Sequence, residues 1–88
     1  MNRVYILGEV LSVSKVHFDY YNKLKAYFKF SISDMCGNEF LCIVQEKNVK
    51  NITFEKTYSV FNQKMNKKET ALVICSFENG EYLVQNIY

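Results

Sequence analysis

The sequence predicts an all-β domain, a five-stranded closed barrel with one helix between the third and fourth strands. Strand-type stretches rich in β-branched and aromatic residues, one of them strictly alternating, occupy most of the chain. Only the segment near residues 53–66 has apolar residues at helical spacing. A length of 88 residues allows a single domain, so we assign residues 1–88 to one unit.

The first three strands are predicted over residues 3–13, 24–33 and 39–45. Gly8 interrupts the first strand, and a glycine inside a strand is typical of a bulge or a barrel corner. The second strand alternates over ten residues, which is the strongest strand pattern in the chain. Its inward set is Leu24, Ala26, Phe28, Phe30 and Ile32, and its outward set is Lys25, Tyr27, Lys29, Ser31 and Ser33. A turn over 34–38 joins it to the third strand.

The helix is predicted over residues 53–66 because four apolar residues share one helical face, namely Phe54, Tyr58, Phe61 and Met65. Asn51 or Thr53 would cap its start. Lysines 64, 67 and 68 suit the negative end of its dipole. Two further strands follow over 70–77 and 81–88, joined by Asn79-Gly80, a strong two-residue hairpin signal.

This order of elements, with a bent first strand, is typical of the OB-fold. The alternative architecture is a small α+β sheet with one helix on its face. In an OB-fold the helix face would close the bottom of the barrel. The outer face of strands 2 and 3 and the loops 1–2 and 4–5 would be free for a ligand.

Composition excludes several classes of protein. There is no apolar run of membrane-spanning length and no signal-peptide pattern after Met1, so we expect a cytoplasmic location. Three cysteines without a C-x-x-C pair argue against a disulfide framework and a zinc site. One histidine and two aspartates are a poor inventory for acid–base catalysis. We therefore expect no enzyme activity, no cofactor, no metal and no small-molecule substrate.

Charge and aromatic content point to a binding protein. The net charge is +2, but residues 45–68 carry +4 and residues 69–88 carry −3. Such asymmetry is typical of a basic face that meets an anionic partner, or else of solvated surface. The loop from Lys15 to Lys23 packs four flat rings between lysines, and the second strand exposes Lys25, Tyr27 and Lys29.

Lysines contact phosphates and aromatic rings stack on bases, which is the chemistry that single-stranded nucleic acid requires. The candidate nucleic-acid-binding residues are Arg3, Lys15, His17, Phe18, Tyr20, Tyr21, Lys23, Lys25, Tyr27 and Lys29. The competing interpretation is that some of the loop rings plug the end of the barrel and that the strand face is merely solvated. Lys64, Lys67 and Lys68 either reach a phosphate as well or belong to a solvated helix face.

A second surface is predicted on the third strand. If Phe40, Cys42 and Val44 face the barrel, then Leu41 and Ile43 lie outside it. Exposed apolar residues on a sheet indicate either an interface or a ligand-binding face. We therefore expect a homo-oligomer, with dimerisation through Leu41 and Ile43 as its simplest form.

Beyond these patterns, the opening Met1-Asn2-Arg3-Val4-Tyr5-Ile6-Leu7-Gly8 resembles that of bacterial single-stranded DNA-binding proteins. Those proteins begin Met-Asn-basic-Val, followed by three apolar residues and Gly. The stretch Ala26-x-Phe28-x-Phe30-x-Ile32 is similar to their second strand, and Phe40–Val44 to their third. The resemblance covers about the first 45 residues.

The resemblance implies an OB-fold, base stacking on aromatic residues, frequent homo-oligomers and a place in DNA replication. This chain departs from the family in two ways. It has no tryptophan, so stacking would fall to Tyr and Phe. It ends at Tyr88, so we expect a short version without the acidic tail, such as a plasmid, phage or primosome-type relative. The leading hypothesis is binding of single-stranded DNA, or of RNA. The alternative is a protein-interaction or adaptor module.

Overall fold

The structure consists of long strands that form a barrel and an α-helix that packs against it. A computed structural model describes residues 2–19, 21, 25–49 and 51–88 of the chain. Its elements in chain order are β1 Arg3–Val13, β2 His17–Asp19, β3 Lys25–Asp34, β4 Glu39–Gln45, α1 Phe54–Lys67, β5 Thr70–Glu78 and β6 Glu81–Ile87. The predicted elements therefore agree with the structure to within one or two residues at each end. Leu24, the predicted start of the second strand, lies outside the described residues.

The five long strands close into a barrel. Their order is β1-β5-β6-β4-β3, and β1 pairs with β3 to complete the circle. All pairings are antiparallel except β4 with β6, which are parallel over two residue pairs. Mostly β structure, a closed five-stranded barrel and one helix are thus confirmed.

One element was missed. The short strand β2 pairs with the start of β3, His17 opposite Tyr27. The sequence predicts a loop here, because three residues are too few to show a recognisable period. As a result, the helix lies between the fourth and fifth of the six strands found in the described part of the chain, and not between the third and fourth of five.

Gly8 marks the place where β1 passes from one neighbour to the other. It pairs with Ala71 of β5 on one side and with Asp34 of β3 on the other. A Cβ atom at this position would lie 2.7 Å from the carbonyl carbon of Ser33. Only glycine lets the two strands approach this closely. The expected barrel corner is therefore present, whereas the bulge in the β1–β3 pairing falls between Val10 and Ser12.

The helix begins and ends at recognisable caps. The Thr53 side chain accepts a hydrogen bond from the Lys56 N–H at 3.2 Å, so Thr53 is the N-cap. Lys68 closes the helix in the left-handed conformation, with φ 56°. Asn51, the other predicted cap, instead exchanges two hydrogen bonds with the backbone of Ile87 in β6. This contact joins the segment before the helix to the last strand.

The core lies between the helix and the inner face of β3. Phe28, Phe30 and Phe61 are fully buried, and the rings of Phe30 and Phe61 stack at 4.1 Å between centroids. Tyr58 packs edge-on against Phe28 at 4.9 Å. Each such ring contributes on the order of 1.5–3 kcal/mol by burial. The predicted helix face therefore packs into the core.

Candidate nucleic-acid interface

The outer face of β3 carries the central candidate residues. Phe28 and Phe30 point into the barrel, so Tyr27 and Lys29 point outward and are half-exposed. Tyr27 lies opposite His17 of β2 and Gln45 of β4, and Lys29 lies opposite Ile43 of β4. Residues directly opposite each other share a face, so this register places all five side chains on the outer surface.

His17 and Tyr27 form a stacked pair. Their ring centroids are 5.3 Å apart and the planes are inclined by 22°. The pair exists because β2 holds His17 in register with Tyr27. Two parallel rings held by backbone pairing form a firm platform, since neither ring has to be ordered when a flat ligand arrives.

Next to this platform is a cleft of about 470 Å³. It is bordered by Phe18, Asp19, Tyr21, Tyr27, Lys29, Ile43, Gln45 and Glu81. A second cleft of about 430 Å³ adjoins it towards the β3–β4 turn and shares Lys29, Ile43 and Glu81 with it. We call the two clefts together the outer groove. Lys29 is the one lysine that borders both halves of the groove among the residues described.

Besides His17, two rings of the 15–23 segment are described, Phe18 and Tyr21, and they lie differently. Tyr21 is fully exposed and borders the outer groove. Its N–H donates a hydrogen bond to the Asp19 carboxylate at 3.0 Å. Phe18 is paired with Ala26, so it leaves β2 on the face opposite Tyr27. It is 57% exposed and borders both the outer groove and a separate cleft beside the helix.

The remaining candidates are not all at the groove. Lys25 borders a small pocket of about 40 Å³ next to Tyr27. Arg3 is exposed and pairs with Ser76 of β5, and Lys15 is exposed in the segment between β1 and β2; neither borders the groove. Tyr20 and Lys23 lie outside the described residues. The structure therefore brings together His17, Tyr21, Tyr27 and Lys29, with Phe18 and Lys25 at the margin.

Four residues that border the first cleft of the groove were not among the candidate binding residues, namely Asp19, Ile43, Gln45 and Glu81. Gln45 and Ile43 could have been found from the register of the predicted hairpin, which sets them opposite Tyr27 and Lys29. Glu81 could not, because it reaches the groove only through the parallel pairing of β6 with β4. The carboxylates of Asp19, Glu39 and Glu81 also make the groove less basic than predicted.

The predicted apolar pair on the third strand is only half exposed. Leu41 is 57% exposed, as expected, but Ile43 is 8% exposed. Ile43 does lie on the outer face, but it sits between Lys29 of β3 and Leu83 of β6, whose side chains flank it. An outward position in the middle of a sheet is therefore not the same as an exposed one.

A larger apolar patch lies elsewhere, on β1 and β5. Tyr5 and Leu7 are 62% and 52% exposed and lie opposite Ile74 and Leu72. Tyr88 exchanges two backbone hydrogen bonds with Leu72 and is also exposed. We call these five residues the β1–β5 patch. Strict alternation in β1 places Tyr5 and Leu7 outside.

Metal-binding clusters and membrane-spanning helices would both indicate a class of protein. In the parts of the chain that the structure describes, no group of three or more His, Cys, Asp or Glu side chains is arranged to hold a metal ion. The helix found there is not long and apolar enough to cross a membrane. Comparisons with protein-family models, curated protein sequences and solved structures gave no match for this chain. A functional assignment therefore depends on the geometry of the surface.

Proposed function

We propose that this chain is a non-enzymatic OB-fold module that binds single-stranded nucleic acid along the outer groove. The observation that carries the proposal is the stacked His17–Tyr27 pair, whose Tyr27 side chain borders the same cleft as Lys29. A base would stack on the pair, and Lys29 would meet the phosphate next to it. The OB-fold label is supported by the closed five-stranded barrel and the single helix that follows β4.

The extra strand supports the same site. Because β2 is additional, β3 and β4 correspond to the second and third strands of an OB-fold, whose outer face is the usual place for oligonucleotides. The outer groove runs along these two strands. DNA is the first candidate ligand and RNA the alternative. A role in DNA replication in the cytoplasm remains a prediction from the sequence.

Charge sets the expected strength and salt dependence. The basic residues on this face of β3 are Lys29 in the groove and Lys25 in the adjoining small pocket, and the carboxylates of Asp19, Glu39 and Glu81 border the groove. With two phosphate contacts, the logarithm of affinity would fall with the logarithm of salt at a slope of about −1.4. Stacking contributes about 1–3 kcal/mol per base and does not depend on salt. The proposal therefore expects modest affinity that salt weakens only in part.

The test is fluorescence anisotropy of a labelled dT oligomer, titrated with protein at low and near-physiological salt. We expect saturable binding, weakened about 5- to 150-fold by Tyr27→Ala through loss of one stacking platform. Tyr5→Ala is the control, because Tyr5 is a tyrosine on the outer face of β1 that is exposed and does not border the groove. No binding at tens of micromolar protein in low salt, or equal losses in the two variants, would exclude the outer groove.

A second function, a protein-interaction or adaptor module, is favoured by the β1–β5 patch. Exposed apolar residues on neighbouring strands are a common feature of protein interfaces. Self-association through this patch would make a homo-oligomer, whereas the predicted dimer through Leu41 and Ile43 has less exposed surface to use. Light scattering of the wild type and of Leu7→Ser tests this. A monomer at all concentrations, unchanged by the substitution, would argue against self-association here.

A further inference from the structure

A cleft on the other side of β2 has a different chemical character from the outer groove. It has a volume of about 490 Å³ and lies between β2 and the first turns of α1. Its main lining residues are Val16, Phe18, Phe54, Tyr58, Glu46 and Glu55. We call it the helix-edge cleft. The two surfaces share only Phe18.

The walls of the helix-edge cleft are held by hydrogen bonds and packing. The Tyr58 hydroxyl donates to the Ser14 carbonyl oxygen at 3.1 Å, which ties the helix to the start of the β2 segment. Glu46 accepts from the Ala26 N–H at 3.1 Å through its side chain and donates its own N–H to the Ala26 carbonyl at 3.0 Å. Phe54 is 8% exposed and forms part of the floor. The cleft is therefore preformed, which lowers the entropic cost of binding.

The strand at the mouth of the cleft is the end of the sheet. β2 pairs with β3 on one side, and in the described part of the chain no strand pairs with its other side. An open strand edge is a template for an extended peptide, whose backbone adds to the sheet while alternate side chains enter pockets. Phe18, in the middle of β2, is 57% exposed beside this edge.

The charged residues that border the helix-edge cleft indicate the chemistry of its partner. The ionisable side chains that border the helix-edge cleft are the carboxylates of Glu46 and Glu55 and the Tyr58 hydroxyl, and no lysine, arginine or histidine borders it among the residues described. The chain as a whole carries +2, so this acidic rim runs against the average charge. A segment with apolar side chains flanked by lysine or arginine complements both the floor and the rim.

We propose that the helix-edge cleft, together with the edge of β2 at which no described strand pairs, forms a docking site for an extended protein segment of alternating apolar and basic residues. The backbone of the segment adds to β2. One apolar side chain packs between Phe18 and Phe54, and a neighbouring basic side chain lies near Glu55. The site shares Phe18 with the outer groove but no other described lining residue, so a peptide and a second ligand would lie on opposite faces of β2.

The test uses NMR titration of the ¹⁵N-labelled protein with the capped peptide Lys-Val-Lys-Phe-Lys-Val-Lys. Two twin peptides carry Glu in place of Lys, or Ser in place of Val and Phe. We expect the first peptide alone to shift the amide signals of His17–Asp19 and of Phe54–Tyr58. Shifts elsewhere only, or no shifts at millimolar peptide, would overturn the proposal.

Substitutions in the protein test whether the peptide binds at the helix-edge cleft. We expect Glu55→Lys to weaken the peptide about two- to fivefold, as for loss of an exposed ion pair. Phe18→Ser should weaken it about tenfold through loss of apolar contact. Glu9→Lys makes the same charge change on exposed β1, away from the cleft, and should leave affinity unchanged. If Glu9→Lys and Glu55→Lys weaken peptide binding equally, the effect is due to net charge alone, and the proposed docking site is wrong.

The outcome is separable from that of the nucleic-acid proposal. Glu55 borders the helix-edge cleft and not the outer groove, so Glu55→Lys should not weaken dT binding. Tyr27→Ala should leave peptide binding intact for the same reason. Either site can therefore fail its test without affecting the result for the other.

Discussion

The two faces of β3 differ in role: the inner face packs into the core, and the outer face borders the outer groove. Phe28, Phe30 and Ile32 are at most 1% exposed and meet the helix and the opposite strands. Their immediate neighbours Tyr27 and Lys29 are half-exposed and border the groove. Interior residues of the barrel therefore set stability, and surface residues one position away are free to set binding. Substitutions on the two sides should have separable effects.

The largest contrast is expected in thiol reactivity. Cys36 is exposed in the β3–β4 turn, whereas Cys42 and Cys75 are fully buried in the core. The hydrogen bond with the Cys75 thiol and burial raise the pKa of Cys42, which disfavours the reactive thiolate. An aromatic disulfide reagent at pH 8 should modify Cys36 at once and the two core thiols at least about 10³-fold more slowly, because they must await opening of the barrel.

Mass spectrometry of the time course measures this difference, with Cys36→Ser as the control that should remove the fast phase. Rapid reaction of two or three thiols in native protein would mean that the barrel interior opens readily, and the division between interior and surface would not hold.

The next largest effect is expected on the free energy of unfolding from substitutions on opposite faces of β3. Phe28→Ala should cost about 3–5 kcal/mol, because Phe28 contacts the rings of Phe54, Tyr58 and Phe61. Tyr27→Ala should cost about 0.5–1.5 kcal/mol, the value of a stacked aromatic pair. Urea denaturation at 25 °C measures both, and Phe28→Leu provides a milder variant. Equal costs would contradict the comparison.

A smaller loss of folding stability is expected from a substitution at Gly8, where the barrel turns. Gly8→Ala would place a methyl group against the Ser33 backbone and force β1 and β3 apart. Such overpacking costs about 1–3 kcal/mol. The neighbouring Glu9→Ala, on the exposed face, should stay within about 0.5 kcal/mol of the wild type. Thermal unfolding of both variants gives the comparison, and an unchanged Gly8→Ala would show that the corner can relax.

The smallest effect concerns the exposed turn after β3. Hydrogen bonds from the Asn38 side chain and backbone, with those from Cys36 and Gly37, lower the pKa of Asp34 below 3.8. A carboxyl with a lowered folded pKa contributes stability above its unfolded pKa, and this is lost as pH falls through the folded value. NMR titration should find a raised Asp34 pKa in Asn38→Ala. An unchanged pKa would mean that the Asn38 side chain is not the main cause.

Much of the fold could be predicted because its signals are local. The alternation of β3 gave its inner and outer faces correctly, and the spacing of Phe54, Phe61 and their neighbours gave the helix to within one residue at each end. The hairpin turn at Gly80 is also present, with φ 77° at that residue. Strand β2 was missed because a three-residue strand at an edge has no period to detect.

The candidate site was less predictable than the fold. Tyr27 and Lys29 were found because strand alternation alone puts them outside. The residues that surround them could not be predicted. His17 stacks on Tyr27 only because β2 forms, and Glu81 reaches the groove only because β6 pairs with β4. Phe18 was grouped with the other loop rings, yet its register with Ala26 turns it towards the helix-edge cleft.

The sequence by itself determined which residues face inward, where the helix and the main turns lie, and that aromatic and basic side chains share the outer face of β3. These properties depend on residues a few positions apart, whose preferences act within one element. Only the tertiary structure decided that the barrel closes, that Ile43 is covered, and that the outer groove and the helix-edge cleft lie on opposite sides of β2. Those outcomes depend on strand pairings between distant parts of the chain, which no local pattern specifies.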